Sequence, residues 1–147
     1  MATLSLTGRA LRMLSAREHS RAELERKLAP HAPTPQALAQ VLDTLAAKDF
    51  INEERVLESV LHRRAPRLGS QRIKQELHAK GLEPEAIASA LDGLRSSELA
   101  RAREVWQKKF GTPAQSPAER ARQMRFLASR GFGGDTIRRV VSGSDDD

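Results

Sequence analysis

The sequence contains no cysteine and no tyrosine, and its aromatic residues are one tryptophan and four phenylalanines. Without cysteine, neither a disulfide framework nor a thiolate metal site can form. No apolar run approaches the ~20 residues that a membrane-spanning helix requires. Residues 1–14 also lack the continuous apolar stretch of a signal peptide. We therefore expect a soluble, cytoplasmic protein with no membrane contact.

Signals of catalysis and of metal or cofactor binding are also scarce. The four histidines, at positions 19, 31, 62 and 78, include no i, i+4 pair and fit no zinc-site spacing. Neither of the glycine-rich phosphate-binding motifs occurs. Carboxylate pairs such as Glu53 and Glu54 fit solvated first-turn charges that favour a helix dipole. We expect a non-enzyme with no catalytic residue, metal or cofactor.

The net charge of +6 is unevenly distributed along the chain. Residues 1–50 carry a net +2 and residues 51–94 are neutral. Residues 95–141 carry 11 Lys or Arg against 4 Asp or Glu, a net +7, and residues 142–147 add −3. Such a cationic body is typical of a protein with an anionic partner, most often nucleic acid. The alternative is a solvated helical face.

Helix-start signals recur along the chain, whereas β-branched residues are sparse and never alternate over a useful length. Two serines each precede a glutamate by three residues, which is the pattern of a capping box. Gly81 and Gly131 suit helix C-termini that need a left-handed residue. The predicted N-caps are Ser20, Thr34, Asn52, Ser70, Ser116 and Asp135.

Apolar residues recur with a period of about 50. Three leucines serve as anchors, because positions 28, 77 and 127 are 49 and 50 residues apart. Ten and fourteen residues after each anchor stand further apolar residues, and this i, i+4 pair shares one helix face. Four residues before the anchors, the third copy has Gln123 where the others are apolar. The apolar set comprises Leu24, Leu28, Leu38 and Leu42, then Ile73, Leu77, Ile87 and Leu91, then Leu127, Ile137 and Val141.

The sequence therefore predicts an all-α fold of three tandem three-helix repeats. The repeats span residues 1–50, 51–94 and 95–141, and a disordered acidic tail follows at 142–147. Adjacent repeats are expected to lean on each other in an elongated, curved array, since no triplet holds enough apolar residues to be stable alone. The predicted helices are 5–16, 20–29, 35–47, 52–64, 70–80, 84–94, 97–110, 117–130 and 135–141.

Basic residues are the candidates for binding. Arginine suits phosphates and carboxylates because its planar fork donates two hydrogen bonds at once. Base stacking needs exposed aromatics, and Trp106, Phe110 and Phe126 stand where a helical core would place them. We therefore predict mostly electrostatic, sequence-independent contacts. The candidate DNA- or partner-binding residues are Arg63, Arg64, Arg67, Arg72, Lys74, Arg120, Arg122, Arg125, Arg138 and Arg139.

Three segments resemble the RecX family. Ala-Leu-Arg-Met-Leu at 10–14, followed by Arg-Glu-His-Ser-Arg-Ala-Glu-Leu at 17–24, is similar to the opening of these proteins. Gly-Ser-Gln-Arg-Ile at 69–73 resembles their middle segment, and Phe-Leu-Ala-Ser-Arg-Gly-Phe at 126–132 resembles their end. The resemblance runs in order from about residue 5 to 141. One departure is at Asp49-Phe50-Ile51, where the family usually has a Gly-Tyr-Leu-like sequence, and Val56 stands at a usual Phe.

The resemblance implies a non-catalytic regulator of the RecA recombinase, built from three-helix repeats. Such proteins lie in the groove of the RecA–DNA filament and usually restrain its strand exchange, ATP hydrolysis and coprotease activity. The expected partners are then RecA and single- or double-stranded DNA, bound by a monomer. Two alternatives are a stand-alone DNA-binding protein, indicated by the +7 third repeat, and a scaffold for an unrelated protein, indicated by the neutral middle repeat.

Overall fold

In a computed structural model, which describes residues 4–143, the chain folds entirely into helices over that range, with no strand. The nine α-helices of residues 4–143 follow the predicted order, each within one residue of its predicted start and end. A short 3-10 turn, Ala29–His31, extends the second helix. The helices are α1 Leu6–Ala16, α2 Arg21–Leu28, α3 Pro35–Ala47, α4 Glu53–Arg64, α5 Ser70–Ala79, α6 Pro84–Arg95, α7 Glu98–Lys109, α8 Pro117–Ser129 and α9 Gly134–Ser142.

Side-chain caps start four of the helices as predicted. Ser20 begins α2 with a complete capping box, since its hydroxyl accepts from the Glu23 amide and the Glu23 carboxylate accepts from the Ser20 amide. The hydroxyls of Thr34 and Ser116 and the side-chain carbonyl of Asn52 each accept from the amide three residues later. The second predicted box is only half formed, because the glutamate paired with Ser116 accepts from the neighbouring Gln115 amide instead.

Two predicted caps are wrong. The N-cap of α5 is Gly69, and that of α9 is Gly133, so Ser70 and Asp135 lie inside the helices. At α5 the physical reason is tertiary, because backbone carbonyls of the third triplet satisfy the amides that a side-chain cap would otherwise bind. At the start of α9, no comparable partner is found within residues 4–143.

The core is divided into three clusters, one for each helix triplet. The predicted anchors Leu28, Leu77 and Leu127 are all fully buried, one in each cluster, which confirms the repeat. Ile51 packs in the first cluster, although the predicted boundary assigns it to the second repeat. It follows Asp49, whose left-handed backbone (φ 65°) turns the chain back onto α3. The apolar residues ten positions after the anchors, on the third helix of each triplet, are buried as well: Leu38, Ile87 and Ile137.

The first and second triplets are joined by ion pairs around α2. Glu23 is buried and accepts hydrogen bonds from Arg17 at 2.8 Å and from Lys80, at the end of α5, at 3.1 Å. Arg26 donates to the carbonyl of Ala79, the last residue of α5, at 3.0 Å. Cations at a helix C-terminus complement the partial negative charge of its free carbonyls. The end of α5 is thereby held on the preceding triplet.

The second and third triplets are joined by backbone contacts in the matching place. The amides of Gly69 and Gln71 donate to the carbonyls of Arg130 and Gly131 at 2.8 and 3.0 Å, and Arg72 donates to the carbonyl of Ser129 at 2.7 Å. The turn after α8 thus sits on the start of α5. The two junctions therefore follow one pattern: the end of α5 contacts α2, and the end of α8 contacts α5.

The predicted acidic tail lies mostly outside the described residues. Ser142 ends α9 and Gly143 follows it in a left-handed conformation (φ 70°). Positions 144–147, which include the three terminal aspartates, are not described.

Candidate nucleic-acid interface

A groove lined by four cations lies where the second triplet meets the third. Its basic members are Arg67, in the loop before α5, Lys108 and Lys109, in the last turn of α7, and Arg130, which caps α8. Pro66, Val105 and Phe126 form its apolar lining, and its volume is about 400 Å³. We call this surface the basic groove. Among residues 4–143, no carboxylate lines it.

Phe126 holds two of these cations beside its ring. The Nζ atom of Lys109 lies 5.4 Å from the ring centroid, and the guanidinium carbon of Arg130 lies 4.9 Å from it. Both distances are within the range of a cation–π attraction. Phe110 supports the ring from the side, edge-on at 5.4 Å and 88°. The aromatic pair therefore contributes a weak attraction that orients these two cations towards the groove.

The four cations of the basic groove lack carboxylate partners among the described residues. Over residues 4–143, none of them forms an ion pair with a carboxylate. Elsewhere the chain pairs its arginines freely, as in Arg55 with Glu18 and Asp49, and Arg64 with Glu76. Unpaired cations around a concave, partly apolar surface attract anions and bind phosphate oxygens. The groove can therefore bind a nucleic-acid backbone, and the Phe126 ring offers a small apolar contact beside it.

Of the predicted basic residues of the second triplet, some line a groove or are exposed and others make structural contacts. Arg67 lines the basic groove, whereas Arg64 is engaged by Glu76 and Arg72 by the Ser129 carbonyl. Arg63 is exposed and lines a second cleft at the first junction, which also contains Glu23 and Glu76. Lys74 is exposed on α5.

The predicted arginines of the third triplet are not gathered at one place. Arg120, Arg122 and Arg125 are all exposed on α8. At about 100° per residue, Arg122 and Arg125 share a face, but Arg120 projects from the other side of the helix. On α9, Arg138 pairs with Asp135 at the helix start, and Arg139 is half-buried.

Sequence reasoning missed Lys108, Lys109 and Arg130 as members of a common surface. They are up to 22 positions apart and lie some forty residues or more from Arg67, so only the docking of the triplets brings them together. Phe126 packs against the third core cluster, as expected of a core residue, but it is only half-buried and also lines the groove. The net +7 of this region was the sole available signal.

Other kinds of site find little support in the described residues. Over positions 4–143, no three metal-ligating side chains come together in a way that could hold an ion. In the same part of the chain, no helix combines the length and the apolar character needed to cross a membrane.

Comparison with known families decides the assignment. The family models for the first, second and third three-helix domains of RecX match residues 8–45, 52–91 and 96–141, in that order. The chain belongs to the RecX family. Each RecX domain contains most of one core cluster, and the basic groove is lined by residues of the second and third domains.

Curated RecX relatives match almost the whole chain. The "Regulatory protein RecX" of Leptothrix cholodnii is 56% identical over 138 residues, covering 94% of this chain and 88% of that protein. The protein of the same name from Ralstonia nicotianae is 46% identical, covering 97% and 89%. These relatives are named regulatory proteins.

Solved RecX structures share the fold. A crystal structure of regulatory protein RecX superposes with a TM-score of 0.76 at 19% identity, covering 95% of this chain and 72% of that one. RecX from Lactobacillus salivarius superposes with a TM-score of 0.70 at 22% identity, covering 95% and 94%. At these identities, the likeness extends to the architecture of the RecX domains.

Proposed function

We propose that this RecX protein is a non-catalytic regulator that binds the RecA–DNA filament in its groove and restrains recombinase, ATPase and coprotease activity. The observation that carries the proposal is the basic groove between the second and third RecX domains. A regulator that lies along a protein–DNA filament must meet both phosphate and protein. The basic groove provides the phosphate-binding surface, while the neutral second domain is free to face protein.

The junctions support this proposal because they fix the domains relative to one another. Buried Glu23 with Lys80 at the first junction, and the amides of Gly69 and Gln71 at the second, leave little freedom for the domains to rotate separately. A preorganised array loses less entropy when it docks along a filament than a flexible one does. We propose a monomer that contacts single- or double-stranded DNA without reading its sequence.

The test is the ATPase activity of RecA on single-stranded DNA, measured while this protein is titrated. We expect inhibition at concentrations well below those that coat the free DNA, because the protein acts on the filament. Replacement of Arg67, Lys108 and Lys109 by glutamine should shift the inhibition curve to higher protein concentration. An ATPase rate that stays constant up to a molar excess over RecA would refute the proposal.

A second candidate function is a stand-alone, sequence-independent DNA-binding protein. The observation that favours it is that no carboxylate of the described residues lines the basic groove, together with the net +7 of residues 95–141. In that case inhibition should follow the coverage of naked DNA, and adding competitor DNA should abolish it. The third possibility is a scaffold for an unrelated protein. In that case this protein should leave the ATPase unaffected and should bind neither DNA nor RecA.

A further inference from the structure

The second domain carries a groove of a different character, between α4 and α6. Its volume is about 530 Å³, and its floor is made by Leu57, Leu61 and Leu82. On the α6 side the wall is low, because Ala86, Ser89 and Ala90 present only small side chains. We call this surface the apolar groove. None of its residues belongs to the basic groove.

The apolar groove accompanies a difference between the second domain and the other two in how the first and third helices meet. In the first domain α1 packs against α3, and in the third α7 packs against α9, whereas α4 and α6 contact each other less than either of these pairs does. Three residues after the repeat positions Leu38 and Ile137, the first and third domains have Val41 and Val140, which pack in their cores. The second domain has Ala90 at this position.

The charge on the rim is one-sided. On the α4 side the apolar groove is bordered by Glu53, Glu54 and Glu58, all exposed. Within the described part of the chain, none of the three is paired with a cation. First-turn placement accounts for two of them through the helix dipole, but Glu58 lies a turn further on. An apolar floor beside three free carboxylates complements an apolar surface bordered by lysine or arginine.

We propose that the apolar groove receives an amphipathic helix of a protein partner, whose apolar stripe is bordered by basic residues. The inference rests on the proposed function, in which that partner is RecA within the filament. A helix fits the dimensions, because Glu53 to Leu61 spans about 12 Å at 1.5 Å per residue. Apolar anchors at i, i+4 and i+7 of the incoming helix span about 10 Å, the usual spacing for helix-in-groove recognition.

In this proposal the two grooves bind different components of the filament. The basic groove takes the phosphate backbone, and the apolar groove takes protein. They lie in different places along the array, so one chain can make both contacts at once. Loss of the apolar groove should therefore weaken binding to the filament without weakening binding to naked DNA.

Two sets of variants of the full-length chain test the proposal, each with a matched control. Ala86→Leu with Ala90→Leu fills the apolar groove with side chains that favour a helix, and Ala88→Leu adds bulk to α6 outside it. Glu53→Gln, Glu54→Gln and Glu58→Gln together neutralise the rim. Glu83→Gln, Glu85→Gln and Asp92→Asn together remove the same charge from the same domain outside the groove. Circular dichroism and urea unfolding establish that each variant is folded.

The measurements are affinity for RecA filaments on single-stranded DNA, and affinity for the same DNA without RecA. Filling or neutralising the apolar groove should weaken filament binding by roughly tenfold, as expected for the loss of a few apolar contacts or of three ion pairs. The rim variant should bind naked DNA as well as the parent or slightly more tightly, since it loses negative charge. Both controls should bind filaments at least as well as the parent.

The outcomes separate the two proposals. If the parent binds filaments no better than naked DNA, the proposed function fails and this inference fails with it. If the parent prefers filaments but the groove variants match it, only the inference fails. Sedimentation addresses self-association: a parent that dimerises and a filled variant that is monomeric would assign the apolar groove to a second copy of this chain, and would overturn the proposal.

Discussion

At the scale of single residues, Gln123 shows how a buried polar side chain is accommodated in an apolar repeat. It occupies the position of Leu24 and Ile73 and is 5% exposed. Its side-chain oxygen accepts from the indole nitrogen of Trp106 at 2.9 Å, and its amide nitrogen donates to the carbonyl of Thr112 at 3.2 Å. Both ends of the amide are therefore satisfied. The glutamine also holds the long loop before α8 against the core.

We expect Gln123→Ala to lower the free energy of unfolding by about 2–4 kcal/mol, since it removes two buried hydrogen bonds and leaves a cavity. Urea unfolding followed by the fluorescence of the single tryptophan, Trp106, measures this directly. Gln107→Ala, at an exposed position of α7, is the control and should change stability by less than about 0.5 kcal/mol. Equal effects of the two substitutions would show that the buried amide contributes nothing.

Glu23 gives the first junction a defined dependence on pH. Burial raises its pKa, but hydrogen bonds from Arg17, the Ser20 amide and Lys80 outweigh burial and lower the pKa from 4.5 to about 2. The carboxylate therefore contributes stability that is complete above pH 4.5 and is lost as the pH falls towards 2. His19 acts in the same direction at higher pH, because burial and the nearby cations lower its pKa below 6.5.

We predict that the free energy of unfolding falls by on the order of 3 kcal/mol between pH 4.5 and 2 through Glu23 alone. Glu23→Gln should be less stable at pH 7 and should show a flatter pH dependence across that window. Glu25→Gln, which removes an exposed carboxylate of the same helix, should keep the parent's dependence. Urea unfolding at a series of pH values provides the measurement. A Glu23→Gln profile parallel to the parent's would contradict this assignment.

At the scale of elements, local signals predicted the helices but not all of their ends. Thr34, Asn52 and Ser116 cap helices because their partners are amides three residues away, a contact that the sequence itself specifies. The start of α5 depends instead on carbonyls some sixty residues later in the chain. Glycine is required at position 69 because the backbone of Gly131 in the third domain packs directly against it. A single sequence does not show which distant residues approach each other.

Gly69→Ala should disrupt the second junction. A Cβ atom at this position would lie 2.4 Å from the Gly131 carbonyl oxygen, and the atoms in its way are backbone. We expect a loss of about 1–3 kcal/mol, typical of overpacking. Gly93→Ala is the matched control, since nothing lies within 4 Å of its added Cβ in the interior of α6. It should stabilise the protein by about 0.5–1 kcal/mol.

Thermal and urea unfolding compare the two alanine variants with the parent. Opposite signs are the expected result. A Gly69→Ala variant as stable as the parent would mean that the turn after α8 can move away from α5 at little cost, and the second junction would then not be rigid.

At the scale of the whole molecule, the candidate site was partly predictable. Charge counting placed the cationic region in residues 95–141, where three of the four groove cations lie. It also ranked Arg120 and Arg122 as highly as any other basic residue, because composition does not distinguish an isolated cation from one in a cluster. The apolar groove was not predicted, although the sequence holds a trace of it. Ala90 stands where the other two repeats have valine, but the effect of this smaller side chain becomes visible only in the spacing of α4 and α6.

The salt dependence of DNA binding distinguishes a local site from diffuse charge. Each phosphate contacted on a single strand contributes about 0.7 to the slope of log K against log salt, through counterion release. We predict that Arg67→Gln, Lys108→Gln and Lys109→Gln together flatten this slope by about two, and reduce affinity at low salt.

Arg120→Gln, Arg122→Gln and Arg125→Gln together remove the same charge from α8. That variant should change the slope by less, because its three side chains do not share a surface. Titration of a fluorescent oligonucleotide at several salt concentrations gives both slopes. Equal flattening in the two variants would mean that DNA responds to the overall charge of the third domain, and that the basic groove is not the place where phosphate binds.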